Sequence, residues 1–346
     1  MQSLHETLKL RVPKVSVTQF LIAANVLIFL AMLYKGAGFW HSPNAIQLAW
    51  GANFGPATQD GQWWRLGTAM FLHFGIIHLV VNVWSLWDAG QLVERMYGHL
   101  RFAGIYVLSG LTGNLVSLVI QGNSAVSGGA SGAIFGIYGA LLTFLWHERT
   151  SIVRHEFRWL FWGASVFSIA TIALGFIVPG IDNSAHIGGF LTGILSSILL
   201  SQSIEVKPVT DKIRALAATT IVLACVLLVL NIPAPKYRWS DELLVRKKVD
   251  EFLLKDQAIN RSWLEIMHQG NQADTTFDAL ANHIDEAISE PYQQSFEQLS
   301  QLPNDPALPS AAKLKNILQY LEQRKSESQV LADKMRTKPV MQLPQQ

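Results

Sequence analysis

The sequence is short of cysteine and of charge. Its 346 residues include one cysteine, so neither an internal disulfide nor a zinc site built from several cysteines is available. Only 15% of the residues are charged, against about 25% in soluble proteins, while 50% are hydrophobic. The net charge of +2 provides no basic footprint for nucleic acid. Eleven Trp and seventeen Phe exclude a disordered chain, so the composition indicates a membrane protein.

Charge divides the chain into two regions. Residues 1–233 contain 13 Lys and Arg and 9 Asp and Glu, whereas the shorter stretch 234–346 contains 14 and 16. The first region is therefore predicted to be a bundle of membrane spans, and residues 234–346 a small helical domain outside the membrane. Pro233 and Pro235 mark the boundary between them.

Seven apolar segments are long enough, or nearly long enough, to span a bilayer. They are Val17 to Tyr34, Ile76 to Gln91, Phe102 to Gln121, Ser131 to Trp146, Leu160 to Val178, Ser184 to Leu200 and Ala215 to Ile232. Several are rich in Gly, which allows neighbouring helices to pack closely in a membrane. The predicted fold class is all-α, a polytopic membrane helix bundle.

The basic residues of the short loops predict the orientation. They are Lys9, Arg11 and Lys14; Arg95 and Arg101; Arg149, Arg154 and Arg158; and Lys207, Lys212 and Arg214. The positive-inside rule places these loops and the N-terminal residues 1–14 in the cytoplasm, and an odd number of spans then places the C-terminal domain outside. The first span could instead be a signal peptide, but no small-residue cleavage pattern follows Tyr34.

The loop between the first two spans, residues 35–75, is long and nearly uncharged. Its tryptophans, Trp40, Trp50, Trp63 and Trp64, suit a segment lying at the level of the lipid headgroups.

Four polar residues lie where they are costly, within the spans: His78 and Asn82 in the second, Ser131 in the fourth and His186 in the sixth. Because these three spans run from outside to inside, and the residues lie in their first two turns, all four share a similar depth. They could form a hydrated catalytic pocket, a transport site or a polar packing layer.

Ser131 opens its helix beside Gly129 and Gly132, where free backbone N–H groups can bind an oxyanion. A serine hydroxyl is a weak nucleophile, and the imidazole of His186 can take its proton. His78 and Asn82 are spaced i, i+4 and lie on one helix face, as two donors to a single oxygen would need. The competing reading is helix packing, with small residues at the contacts and interhelical hydrogen bonds.

The sequence resembles the rhomboid intramembrane serine proteases. Gly129-Ala130-Ser131-Gly132 is similar to the family's GxSG motif, and the stretch from Ala185 to Gly193 is similar to AHxGGxxxG. His78 to Asn82 matches HxxxN, and Trp64-Arg65 matches a tryptophan–arginine pair of the long first loop. The four motifs occur in the family's order, and the resemblance covers about residues 15 to 200.

The resemblance implies a six-helix core over residues 15–202, followed by a loop and a seventh span over 203–233. It implies that Ser131 is the nucleophile and His186 the general base, and that His78, Asn82 and the Ser131 backbone N–H form the oxyanion hole. Supporting roles fall to Gly129, Gly132, Phe135, Gly188, Gly189, Trp64 and Arg65. The family uses no metal or cofactor.

By the same resemblance, the substrates are single-span membrane proteins cut near the outer end of their transmembrane helix, and the location is a bacterial inner membrane. Phe135 stands where some members have a Tyr beneath the histidine. Asp182 could orient His186 as in a triad, but a loop or helix-start role is the alternative. Asp88 lies about 15 Å deeper than His78 and cannot reach the pocket.

The C-terminal domain shows no recognisable motif. Ser240 is predicted to cap the first of its helices, and further helices are predicted near Phe277 and after Ser310. Pro291, Pro303, Pro306 and Pro309 are expected to break the chain before the last helix. The final residues, Gln342, Leu343, Pro344, Gln345 and Gln346, are expected to be disordered. The leading function is proteolysis, the alternatives are a non-catalytic membrane-protein binder and a transporter, and the oligomeric state is left open.

Overall fold

The computed structural model describes residues 3–201, 208–270 and 276–337. Contacts divide the chain into two compact units, Met1–Pro235 and Lys236–Gln346, each with a hydrophobic core of its own. Two features used above lie outside the described residues: Lys207, from the orientation argument, and the stretch from Gln342 to Gln346.

The first unit is helical throughout its regular structure. Its α-helices are α1 (Leu4–Arg11), α2 (Ser16–Tyr34), α3 (Asn44–Ala49), α4 (Gly55–Gln59), α5 (Arg65–Thr68), α6 (Ile76–Tyr97), α7 (His99–Gln121), α8 (Ser131–His147), α9 (Arg154–Gly175), α10 (Asn183–Leu199) and α11 (Asp211–Leu230), with a 3₁₀ turn at Ala69–Phe71. The described residues contain no strand, only one isolated antiparallel bridge between Asn53 and Ser127. The predicted all-α class is confirmed.

A helix occupies each of the seven predicted spans. Five of them, α2, α6, α7, α9 and α11, are long and apolar enough to cross a membrane. The other two, α8 and α10, have 17 residues each, or about 26 Å at 1.5 Å per residue. These two short helices carry Ser131 and His186 in their first turns.

The second span extends six residues beyond its predicted end at Gln91, to Tyr97, and includes Glu94. The Glu94 carboxylate is buried and accepts hydrogen bonds from the backbone N–H groups of Val17 (2.9 Å) and Thr18 (2.8 Å) and from the Thr18 hydroxyl (2.6 Å). These N–H groups begin α2, which has no side-chain cap of its own. The Glu94 carboxylate at the end of α6 therefore caps the start of α2, and this interaction stabilises both helix ends.

Helix α8 lies at the centre of the first unit. Twelve of its 17 residues are buried, and Ile134, Ile137 and Leu141 belong to a core shared with α6, α7 and α9. A helix that is apolar all round and buried on most sides needs small residues wherever a neighbouring backbone approaches. Its glycines meet that need.

The second unit consists of α12 (Trp239–Gln269), α13 (Phe277–Ile284), a π-helical turn (Asp285–Ser289), α14 (Glu290–Ser300) and α15 (Ala311–Arg336). The prediction that Ser240 caps α12 is wrong, because Arg238 holds the extended N-cap position and Ser240 lies inside the helix. Pro291 does not break the chain either. It lies in the first turn of α14, directly after the π turn, where its missing N–H costs no regular helix bond.

Candidate active site

Ser131 begins α8 at the end of a glycine-containing loop. The preceding Gly129 has φ +140°, a conformation that other residues rarely adopt, and its N–H donates to the Ala69 carbonyl at 2.8 Å. A methyl group on Gly129 would lie 2.8 Å from Cε1 and 2.9 Å from Nε2 of His78. Glycine is therefore required at residue 129 both by the backbone and by the imidazole beside it.

His186 lies in the first turn of α10, with 5% of its surface exposed. Its Nε2 atom is 2.9 Å from the Ser131 Oγ, which is hydrogen-bond distance. In the tautomer that accepts the serine proton at Nε2, the imidazole carries its own hydrogen on Nδ1. The pair then has the geometry of a nucleophile and its general base.

Close backbone contact between α8 and α10 brings the pair together. A methyl group on Gly189 would lie 1.9 Å from the Gly132 carbonyl oxygen, and one on Gly193 would lie 2.1 Å from that of Gly136. No side chain fits at either contact, so the two helix axes approach as closely as backbone atoms allow. Gly188 contacts α7 at the side chain of Val116, which would clash with an added methyl group.

Phe135 stacks on the imidazole of His186, with ring centroids 4.4 Å apart and an interplanar angle of 15°. The Nδ1 atom of His186 is buried and has no hydrogen-bond partner among the described residues. An aromatic face, rather than a carboxylate, therefore orients the imidazole. The Asp182 carboxylate is used elsewhere, as the N-cap that accepts from the Ala185 N–H.

His78 lies beside the loop that enters α8. Its ring faces Gly129, as the distances above show, and meets His73 edge to face with centroids 5.0 Å apart. Asn82, one turn later, donates from Nδ2 to the His78 carbonyl at 2.8 Å, and its buried Oδ1 has no partner among the described residues. One N–H of the Asn82 amide thus binds the helix backbone, and the second is left for another acceptor.

Trp64 and Arg65 hold the long first loop together. The buried Arg65 guanidinium donates to the carbonyls of Leu48 (2.8 Å) and Ala52 (3.0 Å) and to the Gln62 side chain (2.7 Å). Desolvation by burial lowers the pKa of Arg65. The Trp64 ring packs against Gly51, where a methyl group would lie 2.6 Å from Cζ3. Neither residue contacts the Ser131–His186 pair, so both contribute to the loop's conformation.

Two asparagines near the site, Asn53 and Asn114, were not predicted from the sequence. The side chain of Asn114, within α7, donates to the Leu66 carbonyl at 2.7 Å. The backbone carbonyl of Asn114 accepts a hydrogen bond from the Asn53 side chain at 2.9 Å. A strongly polar residue within a span is the signal that selected Asn82, and it applies equally to Asn114. Asn53 carried no such signal, because it lies in a loop.

Among residues 3–201, 208–270 and 276–337, no three His, Cys, Asp or Glu side chains are grouped as metal ligands would be. That neither metal nor cofactor takes part stays a prediction.

Short apolar helices packed through glycine, with a Ser–His pair in their first turns, define a class of polytopic membrane protein. Residues 60–203 match the Rhomboid domain model. The chain is 36% identical over 155 residues to the putative rhomboid protease YdcA of Bacillus subtilis (strain 168). The matched stretch covers 45% of this chain and 75% of that relative. The chain belongs to the rhomboid family and is a multi-pass integral membrane protein.

Two further relatives are covered over a smaller share of their own length. Rhomboid protease GluP of Bacillus subtilis (strain 168) is 40% identical over 190 residues, covering 54% of this chain and 35% of the relative. Rhomboid-like protease 1 of Toxoplasma gondii is 35% identical over 184 residues, covering 52% and 61%. The chain thus spans about a third of GluP and less than two thirds of the Toxoplasma protein.

Proposed function

We propose that the chain is an intramembrane serine endopeptidase with a Ser131–His186 dyad. Its substrates are single-span membrane proteins, cut near the outer end of their transmembrane helix. The names of the relatives, which are rhomboid proteases, support the reaction class. The single observation that carries the catalytic assignment is the 2.9 Å separation of Ser131 Oγ and His186 Nε2.

In the first step, the Ser131 hydroxyl attacks the scissile carbonyl while His186 Nε2 takes its proton. The buried imidazole becomes a cation, and the parallel Phe135 ring presents a π face to that charge. His186 then protonates the leaving amine, so the peptide bond breaks and an acyl-enzyme forms on Ser131. A water molecule, activated by the same imidazole, releases the second product.

The oxyanion of each tetrahedral intermediate is assigned to three donors. The Ser131 N–H begins α8, where backbone donors lack intrahelical acceptors, and the helix dipole adds positive potential. The His78 ring beside Gly129 and the second Asn82 N–H are the other two. A single donor of this kind is worth about 2.7 to 4 kcal/mol of transition-state stabilisation in a protease.

Substrate preference follows from the requirement that an extended backbone lie beside the Ser131 hydroxyl. A transmembrane helix must unwind locally before its backbone can lie there, so a substrate with helix-breaking residues near its outer end is favoured.

We further propose that the protein lies in a bacterial inner membrane with its N-terminus inside. Residues 1–14, 15–202, 203–233 and 234–346 are then an N-terminal cytoplasmic segment, the protease core, a loop with the seventh span, and an extracytoplasmic helical domain. The basic residues of α1, Lys9 and Arg11, support this orientation.

The test is cleavage of a single-span reporter in proteoliposomes, with the cut position read by mass spectrometry. Wild type is compared with Ser131→Ala and His186→Ala, and Ser124→Ala serves as a control from an exposed position in the same loop. The proposal requires a cut near the outer boundary that is lost in the first two variants and kept in the third. Undiminished cleavage by Ser131→Ala would contradict it, and client binding without cutting would support a non-catalytic family member.

A further inference from the structure

The carboxylate of Asp182 joins three separate segments of the first unit. Its Oδ2 atom accepts hydrogen bonds from the hydroxyl groups of Ser117, in α7, and Ser127, in the loop before α8, the latter at 2.6 Å. Its Oδ1 atom accepts from the Ala185 N–H at 3.1 Å and so caps α10.

Two of these contacts lead directly to the catalytic pair. Ser127 lies four residues before Ser131, and its backbone is fixed by the bridge to Asn53, with hydrogen bonds of 2.8 and 2.9 Å. Ala185 precedes His186, whose own N–H donates to the Asp182 carbonyl at 3.2 Å. One side chain therefore ties the loop that carries the nucleophile to the helix turn that carries the base.

Asp182 does not act as the acid of a triad in this arrangement. A triad acid accepts from the imidazole N–H remote from the nucleophile. In His186 that atom is Nδ1, which has no hydrogen-bond partner among the described residues. Both carboxylate oxygens of Asp182 are already occupied by serine hydroxyls and a backbone N–H.

The contacts between α8 and α10 are tighter after His186 than before it. Methyl groups on Gly189 and Gly193, after His186, would lie 1.9 and 2.1 Å from carbonyl oxygens of α8, whereas one on Gly132 would lie 3.3 Å from the carbonyl oxygen of Ala185. The turn before His186 is also held by its cap. A displacement of about 1 Å at a reacting group can lower a rate about 10²-fold.

We propose that Asp182 is a positioning residue that sets the distance between Ser131 and His186 by joining Ser127 to the start of α10. This inference rests on the proposed function. The contribution is made through hydrogen-bond geometry and not through the charge of the carboxylate. An amide can satisfy that geometry, because Asn Oδ1 accepts from the Ala185 N–H and the two Nδ2 hydrogens can be donated to the two serine hydroxyls.

The experiment measures kcat and KM for the reporter in proteoliposomes, together with the labelling rate of Ser131 by a fluorophosphonate, for the full chain. Asp182→Ala is expected to lower kcat and the labelling rate by about tenfold or more, with KM within about twofold. Asp182→Asn is expected to recover most of both rates without shifting the pH profile. Ser127→Ala is expected to lose less of both rates than Asp182→Ala. The double variant is expected to show a fold-loss smaller than the product of the two single-variant losses.

Two controls separate positioning from general damage. Ser124→Ala removes another hydroxyl from the same loop, one that bonds only to the Gln121 carbonyl, and Thr276→Ala removes the N-cap of α13 in the other unit. Both are expected to cleave at the wild-type rate. Rates are normalised to the folded fraction eluting as wild type, and if Asp182→Ala does not fold, Asp182→Asn and Ser127→Ala decide.

Two results would overturn the inference. Wild-type kcat in Asp182→Ala or Ser127→Ala would show that the link is not needed. A folded Asp182→Asn that is as slow as Asp182→Ala and has an altered pH profile would assign the carboxylate a charge-dependent, triad-like part. Either result, with wild type active and Ser131→Ala inactive, leaves the proposed function standing, whereas absence of cleavage and labelling in wild type removes both.

Discussion

His186 Nε2 lies 2.9 Å from Ser131 Oγ, although 55 residues separate the two in the chain. The contact joins the first turns of two short helices whose backbones touch at glycines. Since both side chains lie at helix starts, whether they meet depends on how the starts of α8 and α10 are held together.

Replacing Gly129 with Ala is expected to reduce cleavage at least 100-fold while the protein still folds. The new methyl group would lie 2.8 to 2.9 Å from the His78 ring, so the imidazole must leave its place beside Ser131. The loss of one oxyanion donor accounts for a factor of about 10² to 10³. Steady-state cleavage of the reporter provides the measurement.

Gly61→Ala is the control, because Gly61 has φ +89° but nothing within 4 Å of an added methyl group. It imposes similar backbone strain in the long first loop without touching the site. Equal activity losses in the two variants would show that strain, and not the His78 contact, explains the requirement for glycine.

Replacing Gly189 with Ala is expected to prevent the native packing of α8 against α10. The methyl group would lie 1.9 Å from the Gly132 carbonyl oxygen, and rigid backbone cannot yield by an ångström or more. We expect a lower thermal midpoint in detergent, or a loss of the monodisperse species, measured by differential scanning fluorimetry and size-exclusion chromatography.

Gly163→Ala, in α9, has nothing within 4 Å of the added atom and is the matched control. Alanine is the better helix former by about 1 kcal/mol in soluble helices, so this variant should be as stable as wild type or more stable. Destabilisation of the same size at both glycines would refute the close-contact explanation.

Removing the ring of Phe135 is expected to lower kcat about tenfold with little change in KM. Stacked aromatic pairs are worth about 0.5 to 1.5 kcal/mol beyond their buried area, and 1.36 kcal/mol is a factor of ten in rate. Phe135→Tyr keeps a ring at 4.4 Å from the imidazole and is expected to retain most of the activity.

Phe157→Ala removes a comparable stacked ring, 5.2 Å from Phe161 in α9, and controls for loss of apolar packing. If Phe135→Ala and Phe157→Ala lower kcat equally, the stacking on His186 has no special part in catalysis.

Replacing Glu94 with Ala is expected to destabilise the first unit by several kcal/mol. Three donors, two from the start of α2 and one from the Thr18 hydroxyl, would lose their acceptor. The two donors of Thr18 are buried, and each such buried loss costs about 1 to 3 kcal/mol. Glu94→Gln keeps one carbonyl acceptor and should lie between Ala and wild type in thermal midpoint. An unchanged midpoint in Glu94→Ala would contradict the proposed capping of α2.

The sequence was sufficient to predict the seven spans and the residues worth testing. Ser131, His186, His78 and Asn82 stand out because polar groups are costly within apolar segments, and helix periodicity gives their relative depth. The all-α class follows from the same hydropathy pattern. These inferences depend on local properties, which a single sequence contains.

Contacts between segments that are distant in the chain could not be predicted from the sequence. Nothing in the neighbourhood of Asp182 indicates that its carboxylate meets Ser117 and Ser127, which are 65 and 55 residues away. The capping of α2 by Glu94, 76 residues distant from Thr18, extends the second span beyond its hydropathy limit for the same reason. Ser240 was misassigned because a good capping residue one position inside a helix looks the same in sequence as one at its start.

The most direct test of the central claim is site-resolved labelling of the membrane-embedded protein with a fluorophosphonate, read by peptide mass spectrometry. A dyad predicts one covalent adduct, on Ser131, whose formation is lost in His186→Ala and kept in Ser124→Ala, in parallel with reporter cleavage. Reporter cleavage without modification of Ser131, or labelling that does not depend on His186, would contradict the assignment of these two residues as nucleophile and base.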